Sequence, residues 1–196
     1  TEARSTFDAV WGENMRLAVA AEQYMRLLAH QEDIETAIEV GETFRSQIGR
    51  NPAVDTLTAK LKAGETVDLR RLSARQGAAL SVYALAAALA AETRYADATN
   101  DVSGVYFQLA LMLDPSLDVA RTLLGDTLER AERRFDAEAI LSEVQPDSPF
   151  YATAQGQRAW VLRRMGRNEE AIDVARTARE LTGDRDLTIQ LGHLYR

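Results

Sequence analysis

The chain has 196 residues, of which 46% are apolar, enough to bury the core of one domain or of a short array of repeats. Its net charge of −7 and isoelectric point near 5.0 argue against nucleic acids and anionic membrane surfaces as partners. The absence of cysteine excludes disulfides, thiol nucleophiles and zinc–thiolate sites, and no apolar run reaches the ~18 residues that a membrane span requires.

The N-terminal part of the chain, residues 1–72, shows helical spacing of its apolar residues without a clear repeat. Segments 5–28 and 32–48 are predicted to form one degenerate pair of helices. Three residues of the second segment are expected to face inward: Ile34, Ala37 and Phe44.

The connection over 49–72 is expected to be irregular, because no repeat register can be followed through it. A short, unpaired helix around 53–62 is predicted there. The polar run that follows it, 63–71, is expected to form a mobile or protruding loop.

From residue 73 onward the helical pattern becomes regular. A long helix of about 73–92 is predicted to pair with one of about 99–113. The helices that follow are predicted in two hairpins: 118–131 with 134–144, and 150–165 with 168–181.

Several residue types in this part recur at a spacing of 34 positions. Small residues fall where two helix backbones approach closely, and larger ones fill the space between the helices. The pairs at this spacing are Gly125 with Ala159, Leu128 with Leu162, Ala137 with Ala171, Val144 with Ala178, and Pro115 with Pro149. A spacing shared by several residue types indicates internal repeats.

These segments resemble the tetratricopeptide repeat (TPR), a family whose 34-residue unit is a helix–turn–helix. The resemblance covers over half of the chain, in the units 84–117, 118–151 and 152–185 and in the partial unit 186–196. The best-matched residues are Leu124, Gly125, Leu128, Ala137, Val144, Pro149, Ala159, Leu162, Gly166, Ala171 and Ala178. Two positions depart from the family pattern, because Arg158 stands where an apolar residue is usual and Glu132 where glycine is preferred.

The resemblance implies an all-α protein of stacked antiparallel helix hairpins in a right-handed superhelix, an α-solenoid that is irregular in its N-terminal half. On this basis we divide the chain into a degenerate helical part, 1–72, and a repeat part, 73–196. The order of the segments is also similar to that in long multi-repeat TPR proteins of α-proteobacteria. This similarity implies a bacterial protein larger than this chain. The sequence is compatible with both a cytoplasmic and a periplasmic location.

No set of residues suggests catalysis, a metal or another cofactor. Neither His30 nor His193 has a histidine or carboxylate at helical metal spacing that suggests a ligand set. The adjacent carboxylates Glu169 and Glu170 are typical of a solvated helix start, and no glycine-rich phosphate loop follows a strand. We therefore expect neither an enzyme nor a cofactor site, and keep a helical enzyme as the least favoured alternative.

Trp160 is the most distinctive candidate for a binding contact. In the register of the TPR family it faces the concave groove, and Arg163 and Arg164 follow about one turn later on the same side. An aromatic residue beside two guanidinium groups is typical of binding hot spots. The alternative is that Trp160 packs against the neighbouring repeat. The preceding repeat offers four residues at equivalent positions: Thr122, Asp126, Glu129 and Arg130.

A groove of such mixed charge predicts a protein partner that presents a mixed-charge peptide or helix, with no nucleic acid and no membrane insertion. Some TPR proteins clamp the C-terminal carboxylate of a chaperone with lysine, asparagine and arginine. That partner type is not expected here, because the corresponding positions hold Thr122, Asp126, Gly156 and Trp160.

The rival function is a structural or self-associating segment of a larger repeat protein. Residues 187–196 resemble the first helix of a further hairpin. That helix would offer apolar surface to a further repeat, a partner or a second copy through Ile189, Leu191, Leu194 and Tyr195.

Overall fold

The structure is a computed structural model that describes residues 2–12, 17–93 and 102–196. Within these ranges the chain forms eleven α-helices and no strand. The helices are α1 (Glu2–Gly12), α2 (Ala18–His30), α3 (Ile34–Gln47), α4 (Pro52–Lys62), α5 (Ala74–Thr93), α6 (Ser103–Leu113), α7 (Asp118–Arg130), α8 (Arg134–Ser142), α9 (Tyr151–Arg164), α10 (Asn168–Thr182) and α11 (Arg185–Leu194). None of the described helices is both long and apolar enough to cross a membrane.

The chain divides into two compact units, one up to Leu72 and the other from Ser73 onward. In the first unit α2 and α3 form a helix pair, and α1 packs on α2. The single helix predicted over 5–28 is wrong, since α1 ends at Gly12 and α2 begins at Ala18; residues 13–16 lie outside the described part of the chain.

The inward face predicted for α3 is correct for two of its three residues. Ala37 and Phe44 are buried against α2, whereas Ile34 is exposed. Ile34 is the first residue of α3. It therefore lies beside the turn that joins α2 to α3, at the edge of the hairpin.

The short helix α4 is not unpaired, contrary to the expectation. It packs on both α2 and α3, and its apolar residues Val54, Leu57 and Leu61 are buried in the same core. Its start is fixed by Asn51, whose side-chain oxygen accepts hydrogen bonds from the main-chain N–H groups of residues 53 and 54 at 3.1 and 3.3 Å. The first unit is thus a bundle with one added helix, and the repeat register is lost there.

The second unit consists of stacked hairpins. The pairs are α5 with α6, α7 with α8, and α9 with α10, and α11 packs on α9 and α10. The first helices of successive pairs also contact each other, α5 with α7, α7 with α9, and α9 with α11. These helices match the segments predicted from the spacing to within a few residues, and residues 99–101 of the predicted segment 99–113 lie outside the described ranges.

The 34-residue spacing reflects the contact between the two helices of each hairpin. Ala137 and Ala171, near the starts of α8 and α10, are fully buried. At Gly125 a Cβ atom would lie 2.6 Å from the side chain of Leu141 on the paired helix. The small residue on α7 therefore admits the large one on α8.

The turn between the paired helices has the same main-chain geometry in three hairpins. Glu32, Glu132 and Gly166 have φ angles of 63°, 60° and 78°. In each turn the N–H of this residue donates to the carbonyl three positions earlier, and the next N–H donates to the carbonyl of a buried leucine five positions before it. This left-handed helix ending favours glycine, the residue found at Gly166, whereas Glu132 adopts the same conformation despite its Cβ atom.

Candidate partner-binding site

The seven candidate residues lie on two neighbouring first helices, four on α7 and three on α9. The structure places six of them at least partly at the surface. Thr122 is the exception, because it is only 4% exposed and its hydroxyl donates to the carbonyl of Val119 at 2.9 Å. Its polar group is satisfied inside α7, so Thr122 does not belong to the open surface.

Asp126, Glu129, Trp160 and Arg164 surround one cleft between α7 and α9, which we call the α7–α9 cleft. Its volume is about 350 Å³. Its remaining lining is mostly apolar and comes from Gly125, Leu141, Gln157 and Val161. Charged groups thus rim a floor on which an apolar side chain of a partner can be buried.

A second cleft of about 420 Å³ lies between α9 and α11, the α9–α11 cleft. Helix α11 contributes Ile189, Gln190 and His193, and the segment at its start contributes Asp184 and Asp186. Asp184 caps α11, since its side-chain oxygen accepts from the N–H of Asp186 at 2.8 Å and of Leu187 at 3.2 Å.

Trp160 lines both clefts and separates them. Its side chain is 39% exposed, so it neither packs fully against the neighbouring repeat nor stands free in solvent. The guanidinium carbon of Arg163 lies 5.6 Å from the centre of the indole ring, a cation–π distance. Arg163 also donates to the main-chain carbonyl of His193, which ties α9 to α11 beside the ring.

The charges at the α7–α9 cleft are paired within the chain. Arg164 forms an ion pair with Glu129, and Arg130 lies 3.4 Å from Asp126. Such surface pairs contribute little to stability, ~0–1 kcal/mol each, but they fix the direction of the side chains. Arg163, in contrast, has no carboxylate partner among the described residues.

Two glutamines of the site were not predicted from the sequence. Gln157 lines both clefts next to Trp160. Gln190 is buried, and its amide donates to the main-chain carbonyl of Gly156 at 2.7 Å. A Cβ atom on Gly156 would approach the Gln190 oxygen to 3.0 Å, so the glycine keeps α9 and α11 close together. The sequence contained a signal for this contact, because Gly156 and Gln190 are separated by the repeat spacing of 34 residues.

The described residues hold no group of three histidine, aspartate or glutamate side chains close enough to bind a metal ion. The arrangement offers an indole, carboxamides and charged groups around two clefts, which suits non-covalent recognition.

Comparison with solved structures identifies the fold. YrrB, described as a TPR protein with an unusual peptide-binding site, has a TM-score of 0.51 and 14% sequence identity, covering 95% of this chain and 97% of its own. The P58(IPK) TPR domain has a TM-score of 0.46 at 16% identity, covering 99% of this chain and 50% of its own. A thermophilic TPR protein of Thermus thermophilus has a TM-score of 0.47 at 17% identity, covering 89% of this chain and 98% of its own.

Because the sequence identity to YrrB is only 14%, this similarity shows the fold alone. The chain is an all-α protein with the helical-repeat architecture of TPR solenoids. No protein-family model matches the sequence, and no match was found among curated proteins.

Proposed function

We propose that this chain is a protein-interaction module that binds a peptide or helical segment of a partner protein on the surface formed by α7, α9 and α11. The observation that carries the proposal is the position of Trp160, half-exposed between two clefts. Tryptophan is enriched among the residues that dominate binding energy, and they occupy pockets near the centre of an interface.

The site is held in place before any partner arrives. The bond from Gln190 to Gly156 and the bond from Arg163 to the His193 carbonyl join α9 to α11. A partner that docks on a preformed surface avoids part of the entropy loss of ordering it. One solved structure with the same fold is described as having a peptide-binding site, which is in keeping with this function.

The charges favour a partner segment of mixed charge. Arg163 can pair with a carboxylate of the partner, whereas Asp184 gives the lining of the α9–α11 cleft a negative charge that attracts a basic side chain. With a net charge of −7 for the whole chain, a nucleic acid is not the proposed partner.

The test is selection of binders from a random peptide library on the intact chain, followed by affinity measurements on variants. Trp160→Ala should weaken the selected peptides by about 30-fold or more, the effect of losing a hot-spot residue. The matched control is Phe135→Ala, because Phe135 of α8 is 78% exposed and lines neither cleft. Equal losses in both variants, or none in Trp160→Ala, would refute the proposal.

Self-association through the last helix is a second candidate function. The exposed apolar surface of that helix is smaller than the sequence predicts. Leu191 and Leu194 are buried against α9 and α10, so only Ile189 and Tyr195 remain exposed among the four apolar residues predicted there. Ile189 belongs to the α9–α11 cleft. The candidate therefore rests on Tyr195, which is 63% exposed. A dimer that dissociates in a Tyr195→Glu variant would support it.

A further inference from the structure

Helix α6 presents an apolar face that the described residues of its own hairpin leave exposed. Residues 103–113 contain no charged side chain. Four residues at spacings of three or four positions lie on one exposed side, which we call the α6 stripe: Val102, Val105, Leu109 and Met112. Val105 is 66% exposed and Met112 is 71% exposed.

The repeat fold does not require this stripe. The opposite side of α6 supplies the buried residues Ser103, Phe107 and Ala110, and Phe107 packs beside Tyr83 of α5 with ring centres 6.2 Å apart. The hairpin is therefore closed without the stripe, and a polar residue at each stripe position would leave its core intact.

The later repeats provide an internal comparison. The positions 34 and 68 residues after the stripe lie on the outward side of α8 and α10 and in the segment after α8. They are Asp136, Ala139, Glu143 and Pro146, then Glu170, Asp173, Thr177 and Glu180. All eight are exposed, and five of them are carboxylates. The same side of the second helix is thus solvated in two hairpins and apolar only in α6, which indicates a contact specific to α6.

We propose that the α6 stripe packs against the α6 stripe of a second copy of this chain, with the two helices antiparallel about a twofold axis. A twofold contact joins the same surface on both copies, so that surface must be complementary to itself. An uncharged apolar stripe meets this condition. The outward sides of α8 and α10 do not, because each would bring its own carboxylates against their copies.

The size of the stripe sets the expected strength. It spans about ten residues, or about 15 Å of helix, and patches of this kind cover a few hundred Å². That area is at the low end for specific interfaces, where complexes are transient. The dimer should therefore form in the micromolar to sub-millimolar range and dissociate on dilution.

The experiment is sedimentation velocity of the full chain over that concentration range. The wild type should show a monomer–dimer equilibrium. Val105→Glu places two carboxylates at the twofold contact and should raise the dissociation constant at least about tenfold. The matched control is Ala139→Glu, which puts glutamate at the same repeat position of α8 and should leave the dissociation constant unchanged. A second variant, Met112→Glu, repeats the test at the other end of the stripe.

Circular dichroism of each variant shows whether the fold is kept, which is expected because both stripe positions are exposed. A wild type that stays monomeric at all concentrations overturns the proposal, and a stripe protected from exchange in that monomer would mean that the chain covers it itself. A dimer unaffected by Val105→Glu and Met112→Glu also overturns it and places the contact elsewhere. These outcomes do not depend on peptide binding at Trp160.

Discussion

Glu132 occupies a backbone conformation that a residue with a Cβ atom disfavours. Its φ of 60° is close to the 78° of Gly166, which stands 34 residues later in the equivalent turn. The left-handed conformation costs a non-glycine residue roughly 1–2 kcal/mol. Glycine avoids this strain, but its unfolded chain has more conformational entropy, which offsets part of the gain in stability. We expect Glu132→Gly to stabilise the protein by about 0.5–1 kcal/mol.

The reverse change at the equivalent turn is the control for this prediction. Gly166→Ala places a Cβ atom at a φ of 78° and should destabilise the protein by about 1 kcal/mol. Urea unfolding measures both changes. If Glu132→Gly lowers stability as Gly166→Ala does, the strain at Glu132 is not real.

The contact between Gly125 and Leu141 predicts a second residue-level effect. Because a Cβ atom at Gly125 would already lie 2.6 Å from Leu141, Gly125→Leu should cost about 1–3 kcal/mol by overpacking. Adding Leu141→Ala should recover part of this loss. Gly77→Ala is the control, since a Cβ atom there meets nothing within 4 Å and should stabilise α5. A thermal melt unchanged in Gly125→Leu would contradict the packing.

The residues of the candidate site show what the sequence can and cannot reveal. The repeat register placed Asp126, Glu129, Trp160 and Arg164 together, and the structure brings all four to one cleft. Thr122 was predicted from its equivalent position in the preceding repeat, but a threonine can satisfy its hydroxyl on its own helix and remain buried. The binding role of these residues stays a prediction.

At the scale of helices, α2 and α3 were hard to recognise as a repeat because the small and the large residue of one helix–helix contact have exchanged places. In α7 and α8 a glycine, Gly125, faces the large Leu141. In α2 and α3 the order is reversed, because Met25 faces Gly41, where a Cβ atom would lie 2.8 Å from the methionine methyl group. The contact is kept while the residue types exchange places, so a comparison of residue types at fixed spacing misses it.

The pairing of α4 was missed for a related reason. Spacing within one helix reveals which side is apolar, but not which neighbour covers it. The Gly41 position admits Thr58 of α4 as well as Met25, and this three-way contact has no counterpart in the regular hairpins. A sequence without a repeat register offers no template for such an added helix.

The loop over 63–71 should exchange its amide hydrogens faster than residues 152–181. Most of its residues are exposed and it has no regular structure after the turn that ends α4. Its contacts with the rest of the unit include partial packing of Val67 on the core and a 3.2 Å hydrogen bond from Arg26 to the carbonyl of Asp68. Hydrogen exchange monitored by mass spectrometry measures the difference.

Arg26→Gln supplies the comparison for the loop. Without the guanidinium, exchange near Asp68 should accelerate further, whereas exchange in 152–181 should not change. Protection of 63–71 equal to that of 152–181 would contradict the prediction that this segment is a mobile or protruding loop.

At the scale of the whole chain, the division into two units predicts that the second can fold alone. The core of the first unit is built from residues between Ala21 and Leu61, all within that unit. The stacked hairpins of the second unit bury their own apolar residues, each against its neighbours in sequence. We therefore expect the fragment 73–196 to keep its helicity and to melt cooperatively. Circular dichroism tests this, and a fragment without a cooperative transition would contradict it.

The turn shared by the hairpins at Glu32, Glu132 and Gly166 bears on how the gene can change in length. Its hydrogen bonds join main-chain atoms only, so it makes few demands on side chains. A hairpin copied together with this turn and inserted beside its parent would find a neighbour of matching shape and need no new loop. Unequal recombination can therefore add or remove whole hairpins and still yield foldable products, while the copies drift apart in sequence.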